Sequence, residues 1–207
     1  IYGVVGSLRG PNAASFERYE YPAEVAPAVA ADMSEIAVRM AERTGLDDTP
    51  FNIEFFHDAR RDRLWLLELN VRISKSHSPL FEKVTGRSQS EVMLDVALGR
   101  RPDYPPAEGR FRYAAKFMPR LYGARDDAVV TRVPSRAELD ALEARFPGTE
   151  IQMHLREGER LGDIRHRDSY SYELATIFMG AQRRADLDEM YRRCRAALGV
   201  EIDGEPA

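Results

Sequence analysis

Two glutamates, an asparagine and an arginine set the chemistry that this sequence offers. Glu54 lies inside the apolar run 51–56, and Glu68, Asn70 and Arg72 alternate through Glu68-Leu-Asn70-Val-Arg72. The polar segment 57–62 separates the two runs, so the pattern predicts a β-hairpin. With the turn centred on Arg61, Glu54 falls directly opposite Glu68 on one face of the hairpin. Asn70 shares that face, two residues further along. A slip of one residue would carry one carboxylate to the other side.

In that register Ile53, Phe55, Trp65, Leu67 and Leu69 line one face, and Phe56, Leu64 and Leu66 lie with the glutamates. Strands apolar on both faces are normally covered on both sides, so the carboxylates are expected to be buried. Side by side and buried, they cost on the order of several kcal/mol to ionise without compensation. A divalent cation supplies that compensation, and Mg²⁺ takes carboxylate and amide oxygens together with substrate phosphates. From the hairpin alone two other readings stand beside the metal. The glutamates could be wetted cross-strand residues paired with arginines of the turn, or a general acid/base pair of the kind that cleaves glycosidic bonds.

The downstream residues narrow the choice. The sequence continues Ile73-Ser74-Lys75-Ser76-His77-Ser78-Pro79 to Thr85-Gly86, and a helical stretch ends at Ala97-Leu-Gly99. The strand bearing Glu54, the turn, Glu68-x-Asn70-x-Arg72, Thr85-Gly86 and Ala97-x-Gly99 together resemble the ATP-grasp superfamily, most closely over 50–100 and more loosely from residue 1. The resemblance implies that Glu54, Glu68 and Asn70 hold one or two Mg²⁺ ions, with Mn²⁺ as an alternative, bridging the phosphates of ATP. It places Arg72 against the transferring phosphoryl group or an acyl-phosphate. It implies an ATP-dependent carboxylate–amine (or related nucleophile) ligase that works through an acyl-phosphate, with small-molecule acid and amine substrates and a homodimer as one allowed assembly.

Neighbouring residues differ between branches of that superfamily. Arg72-Ile-Ser74-Lys75-Ser76-His77 resembles the Arg-x-Ser-Arg-Ser-Ser of carbamoyl-phosphate synthases, with Lys75 and His77 as departures. It is also similar to biotin carboxylase, but Ser76 stands where that family has a catalytic glutamate, which counts against biotin carboxylation. Lys75 and His77 are candidates to face the acyl acceptor, with solvated loop positions as the alternative. Residues from about 110 to 200 resemble the small cap that follows the ATP-grasp core, through Phe146-Pro147-Gly148, Glu157-Gly158 and Arg165-His166-Arg167-Asp168. His154 and His166 have no ligand-type spacing and read as ordinary surface or strand residues.

The elements that must position these groups follow from the patterning. A strand over 1–9 breaks at Arg9-Gly10-Pro11-Asn12. A helix with apolar positions Val25, Val29, Met33, Ile36 and Met40 stops at Gly45. A helix covers 90–98. The proline-dense segment Arg101–Gly109 divides the chain into an ATP-grasp C-terminal lobe, 1–104, and a cap, 105–207. In the cap, strands are expected near 111–118, 128–133 and 149–155, with helices at 135–145, 170–180 and 186–198. The fold class is α+β, an antiparallel sheet with flanking helices followed by a small α+β cap.

Composition excludes other classes. A net charge of −4 over 207 residues leaves no basic footprint for nucleic acid. Arg100-Arg101 and Arg192-Arg193 read as solvated loop and helix ends. Cys194 is the lone cysteine, so no disulfide forms within the chain and a cysteine-rich metal site is excluded. No run approaches the ~18 apolar residues of a membrane span, and the expected compartment is the cytoplasm. Ile1-Tyr2-Gly3-Val4-Val5 reads as strand interior, and Gly3, Gly6 and Gly10 form no glycine-rich phosphate loop. The chain is therefore expected to be a piece of a longer protein lacking an N-terminal lobe, and inactive alone. The rival reading from another class is a degenerate ATP-grasp module kept for binding or assembly.

Overall fold

The computed structural model describes residues 1–103 and 108–203. The strands are β1 (Gly6–Arg9), β2 (Phe16–Tyr21), β3 (Asn52–Asp58), β4 (Arg63–Asn70), β5 (Tyr113–Phe117), β6 (Arg120–Tyr122), β7 (Val130–Arg132), β8 (Glu150–Met153), β9 (Ser171–Glu173), β10 (Ala175–Ala181) and β11 (Glu201–Ile202). The helices are α1 (Pro27–Thr44), α2 (Ser78–Thr85), α3 (Gln89–Ala97), α4 (Arg136–Arg145) and α5 (Arg184–Ala196). Helix boundaries follow local chemistry. Proline in the first turn starts α1, and Gly45, at φ 67°, closes it with its N–H on the Ala41 carbonyl. Ser88 and Ser135 each form a capping box, with Glu91 and Glu138, at the starts of α3 and α4.

A five-stranded antiparallel sheet in the order β1-β2-β5-β10-β8 organises the molecule. It draws strands from both sides of position 104, because β2 pairs with β5 from Arg18↔Phe117 to Tyr21↔Ala114. The expected boundary at 104/105 itself lies outside the described residues. Alternation along β5 divides the packing. Ala115 and Phe117 join Ile177, Met179, Leu187 and Cys194 in the larger core. Ala114 faces the other way, where Leu80 and Val84 of α2 pack with Tyr19, Tyr21 and Phe178. Burial of Leu80 and Val84 fixes α2, and with it the loop that precedes α2, over the β2–β5 surface.

Two expectations change. Residues 170–180 are not helical but form β9 and most of β10. From Ala175 to Ala181 all residues but Phe178 are buried, and a short continuous apolar run fits a two-sided strand as well as a buried helix. Gly180 does not separate helices; it lies within β10, where an added Cβ would sit 2.3 Å from the Phe111 ring. The hairpin is not covered on both faces either. β3 and β4 form a sheet of their own, and Phe56, Trp65 and Leu67 are each more than half exposed. Strand β2 and helix α2 are absent from the predicted elements.

Candidate active site

The hairpin brings the predicted carboxylates together. Asn52 pairs with Asn70, Ile53 with Leu69 and Glu54 with Glu68, so Glu54, Glu68 and Asn70 share a face. The register then shifts: Phe55 pairs with Leu66 and Phe56 with Trp65. Leu67 is the extra residue of a β-bulge beside the glutamates. Consequently Trp65, expected on the opposite face, lies on the carboxylate face with Phe56, while Leu64 and Leu66 move to the other side. The sequence places the glutamates correctly because the bulge absorbs the offset of the turn.

Glu54 and Glu68 are exposed rather than buried. Among the described residues neither side chain has a hydrogen-bond or ion-pair partner. The turn arginines are not paired with them: Arg61 bonds Asp58 at 3.4 Å, and Arg63 lies over the Trp65 ring at 5.9 Å. Asn70 Oδ1 accepts from the Arg72 guanidinium at 3.1 Å, while Asn70 Nδ2 is buried without a partner. Asn52 Nδ2 donates to the Arg72 carbonyl at 2.8 Å and anchors the end of β4.

Beyond Arg72 the chain turns toward the sheet. His77 and Ser78 donate backbone N–H groups to the Ser74 carbonyl, and α2 begins at Ser78-Pro79. Lys75 is exposed and free of side-chain partners among the described residues. His77 instead packs edge-on against the Tyr19 ring, centroids 5.2 Å apart. Burial lowers its pKa to about 4, and Lys116 and Arg72 push the same way, so the imidazole is neutral at physiological pH. Tyr19 is raised to about 12, chiefly by burial and then by the Glu54 carboxylate. Tyr19, on the sheet, therefore stands within electrostatic reach of the hairpin. Sequence reasoning does not single out Tyr19 or Lys116, because strand pairing across about a hundred residues brings them to the site.

His154 and His166, read from the sequence as ordinary surface or strand residues, lie side by side in the structure. Their rings stack at 3.7 Å, and the His154 imidazole lies 3.3 Å from Glu173. These three side chains could converge on one ion. The Glu173 carboxylate already has a cation, however: Arg120 donates to its other oxygen at 3.0 Å. Burial would raise Glu173, but His154, Lys116 and Arg120 outweigh it and hold the carboxylate below its usual range.

The residues of the hairpin fit a hard divalent cation. Two unpaired carboxylates stand opposite each other, and an amide oxygen beside them already accepts from a positive group. Like charges directly opposite on a sheet destabilise it, and a shared cation removes that cost.

Residues 20–103 match the family model for the carbamoyl-phosphate synthase L chain, ATP binding domain. The carbamoyl phosphate synthase large chain of Pseudarthrobacter chlorophenolicus is 27% identical over 182 residues, covering 81% of this chain and 16% of its own length. The solved structure of an L-amino acid ligase from Bacillus licheniformis matches with a TM-score of 0.70 at 14% identity, covering 94% of this chain and 48% of that one. N5-carboxyaminoimidazole ribonucleotide synthetase from Thermus thermophilus matches with a TM-score of 0.63 at 19% identity, covering 99% and 48%. The chain thus spans about a sixth of the synthase chain and about half of each solved structure. The fold of the chain is the ATP-grasp fold of these solved structures, and residues 20–103 are similar in sequence to the carbamoyl-phosphate synthase L chain, ATP binding domain.

Proposed function

We propose that Glu54, Glu68 and Asn70 hold the divalent cation of bound ATP, and that the chain provides this metal-phosphate side of an ATP-dependent carboxylate–amine ligase. The observation that carries the proposal is the pair of exposed, unpaired carboxylates facing each other across the hairpin. When bound, Mg²⁺ neutralises phosphate charge and orients the triphosphate; Mn²⁺ offers the same ligand preferences. Asn70 contributes its oxygen once the Arg72 guanidinium swings off it. Arg72 is then free to meet the transferring phosphoryl group and the acyl-phosphate it creates, where a fixed cation stabilises developing charge.

Phe56 and Trp65 extend the carboxylate face with exposed apolar surface of the kind that covers a flat base and excludes water. His77, neutral and held by Tyr19, orients the acceptor as a hydrogen-bonding group rather than as a charge. Lys75 is the exposed cation of the same loop and faces incoming substrate. Small acids and amines fit a ligase reading, as the names of the relatives suggest. Those relatives are much longer, so turnover is not expected from this chain alone. We assign residues 1–104 the metal-phosphate role and 105–207 the role of cap.

Calorimetric titration of the chain with ATP, with and without Mg²⁺, tests the reading. Binding that requires Mg²⁺ and weakens at least tenfold in Glu68→Ala is expected. Equal binding in the variant would point instead to a module that has lost its metal site.

A further inference from the structure

The sequence carries three lysines, Lys75, Lys83 and Lys116, against twenty-seven arginines. Lys83 is spent on an ion pair, 2.5 Å from Glu150. Lys116 is not paired in this way. It projects from β5 on the α2 side of the sheet, in register with Tyr19 on β2 and Phe178 on β10. Its ammonium reaches Ser76 Oγ at 3.2 Å and stands 6.0 Å from the centre of the Tyr19 ring. Among the described residues no carboxylate lies within ion-pair distance of it. A half-buried cation whose nearest polar partner is a neutral hydroxyl has unused capacity to bind an anion.

Location says which anion. Lys116 touches the loop that runs from Arg72 to α2, and its charge acts on the neighbouring His77. The carboxylates that would hold the cation of ATP lie at the other end of this loop, on the hairpin. An anion at Ser76 and Lys116 would therefore stand beside the loop that leads from the metal ligands, close enough to them that Tyr19, which neighbours Lys116, also feels the Glu54 carboxylate. Lysine suits a small carboxylate there because it presents a compact point charge with three rotatable donors.

We propose that Lys116 recognises the carboxylate of the acid substrate, with Ser76 and the neutral His77 beside it as hydrogen-bonding partners. This inference rests on the ligase reading. Burial holds the ammonium below the usual lysine range; Glu173 opposes that shift and Arg120 adds to it. An anion docked against the ammonium would restore its charge balance.

With only three lysines, competitive acylation read by peptide mass spectrometry resolves each one. Bicarbonate, formate and acetate serve as probe acids, alone and with Mg-ATP, and Lys83 is the internal reference. At saturating acid the reactivity of Lys116 is expected to fall at least tenfold while that of Lys83 stays constant. Unchanged reactivity with all three acids overturns the proposal, and so does equal protection by Mg-ATP without acid, which would mean a phosphate contact.

Lys116→Met is expected to weaken acid binding at least tenfold and leave Mg-ATP affinity within twofold, with Lys116→Arg recovering most of the loss. A parallel loss of both affinities in Lys116→Met would make the residue merely structural and overturn the assignment. Acid protection in a chain that shows no Mg-dependent ATP binding would keep Lys116 as an acid site and remove the ligase reading instead.

Discussion

Glu54 and Glu68 face each other directly across the hairpin, and the ladder changes register immediately beside them. Without a cation this pair is a liability to the fold. Glu54→Gln is therefore expected to stabilise the metal-free chain by about 0.2–1 kcal/mol, the size of a cross-strand pair effect. The same substitution should abolish the stabilisation that Mg-ATP confers on the wild type. Urea denaturation in EDTA and in Mg-ATP measures both effects, and a loss of stability in EDTA would contradict the picture of unrelieved repulsion.

Trp65 is the one tryptophan of the chain and lies half exposed on the carboxylate face. Its emission should shift to the blue as Mg-ATP covers that face, because the indole leaves water. The shift is expected to disappear in Glu68→Gln and to be absent when ATP is added in EDTA. Fluorescence titration reads this directly.

His77 predicts a pH dependence. Its folded pKa of about 4 lies below the ordinary 6.5, so the unfolded chain takes up the proton first. Its contribution to stability is complete above about pH 6.5 and is lost as pH falls toward about 4. At ~1.4 kcal/mol per pH unit the full effect is on the order of 3 kcal/mol. His166, also lowered, acts in the same direction. Unfolding free energies from pH 7.5 to 5 should decline in the wild type and decline less in His77→Gln.

Gly180 predicts a steric cost. A Cβ at this position would meet the Phe111 ring at 2.3 Å. Gly180→Ala is expected to destabilise by about 1–3 kcal/mol through overpacking. Shortening the neighbour in Gly180→Ala with Phe111→Leu should return part of that loss. Chemical denaturation of the single and double variants gives the comparison.

Where the controlling interactions are local, the sequence is a good guide. Gly45 ends α1, Ser135 caps α4, and the spacing of Glu54, Glu68 and Asn70 places them on one face. The bulge at Leu67 escapes such reasoning because an apolar run gives no sign of which residue leaves the ladder, so Trp65 is assigned to the wrong face. Residues 171–181 carry no periodicity that separates a buried strand from a helix. Exposure of Phe56 and Trp65 depends on what lies over the hairpin, which alternation does not encode. Lys116, Tyr19 and the His154–His166 stack arise from long-range strand pairing, where proximity in space has no counterpart in spacing along the chain.

The most direct measurement is Mn²⁺ binding followed by electron paramagnetic resonance, in wild type, Glu54→Gln, Glu68→Gln and the double variant, with and without ATP. The account predicts an ATP-enhanced Mn²⁺ site in the wild type. Each single variant should weaken it at least tenfold, and the double variant should be little worse than either, because the two carboxylates act as one site. An ATP-enhanced site that survives in the double variant would contradict the assignment of the hairpin as the metal-phosphate centre.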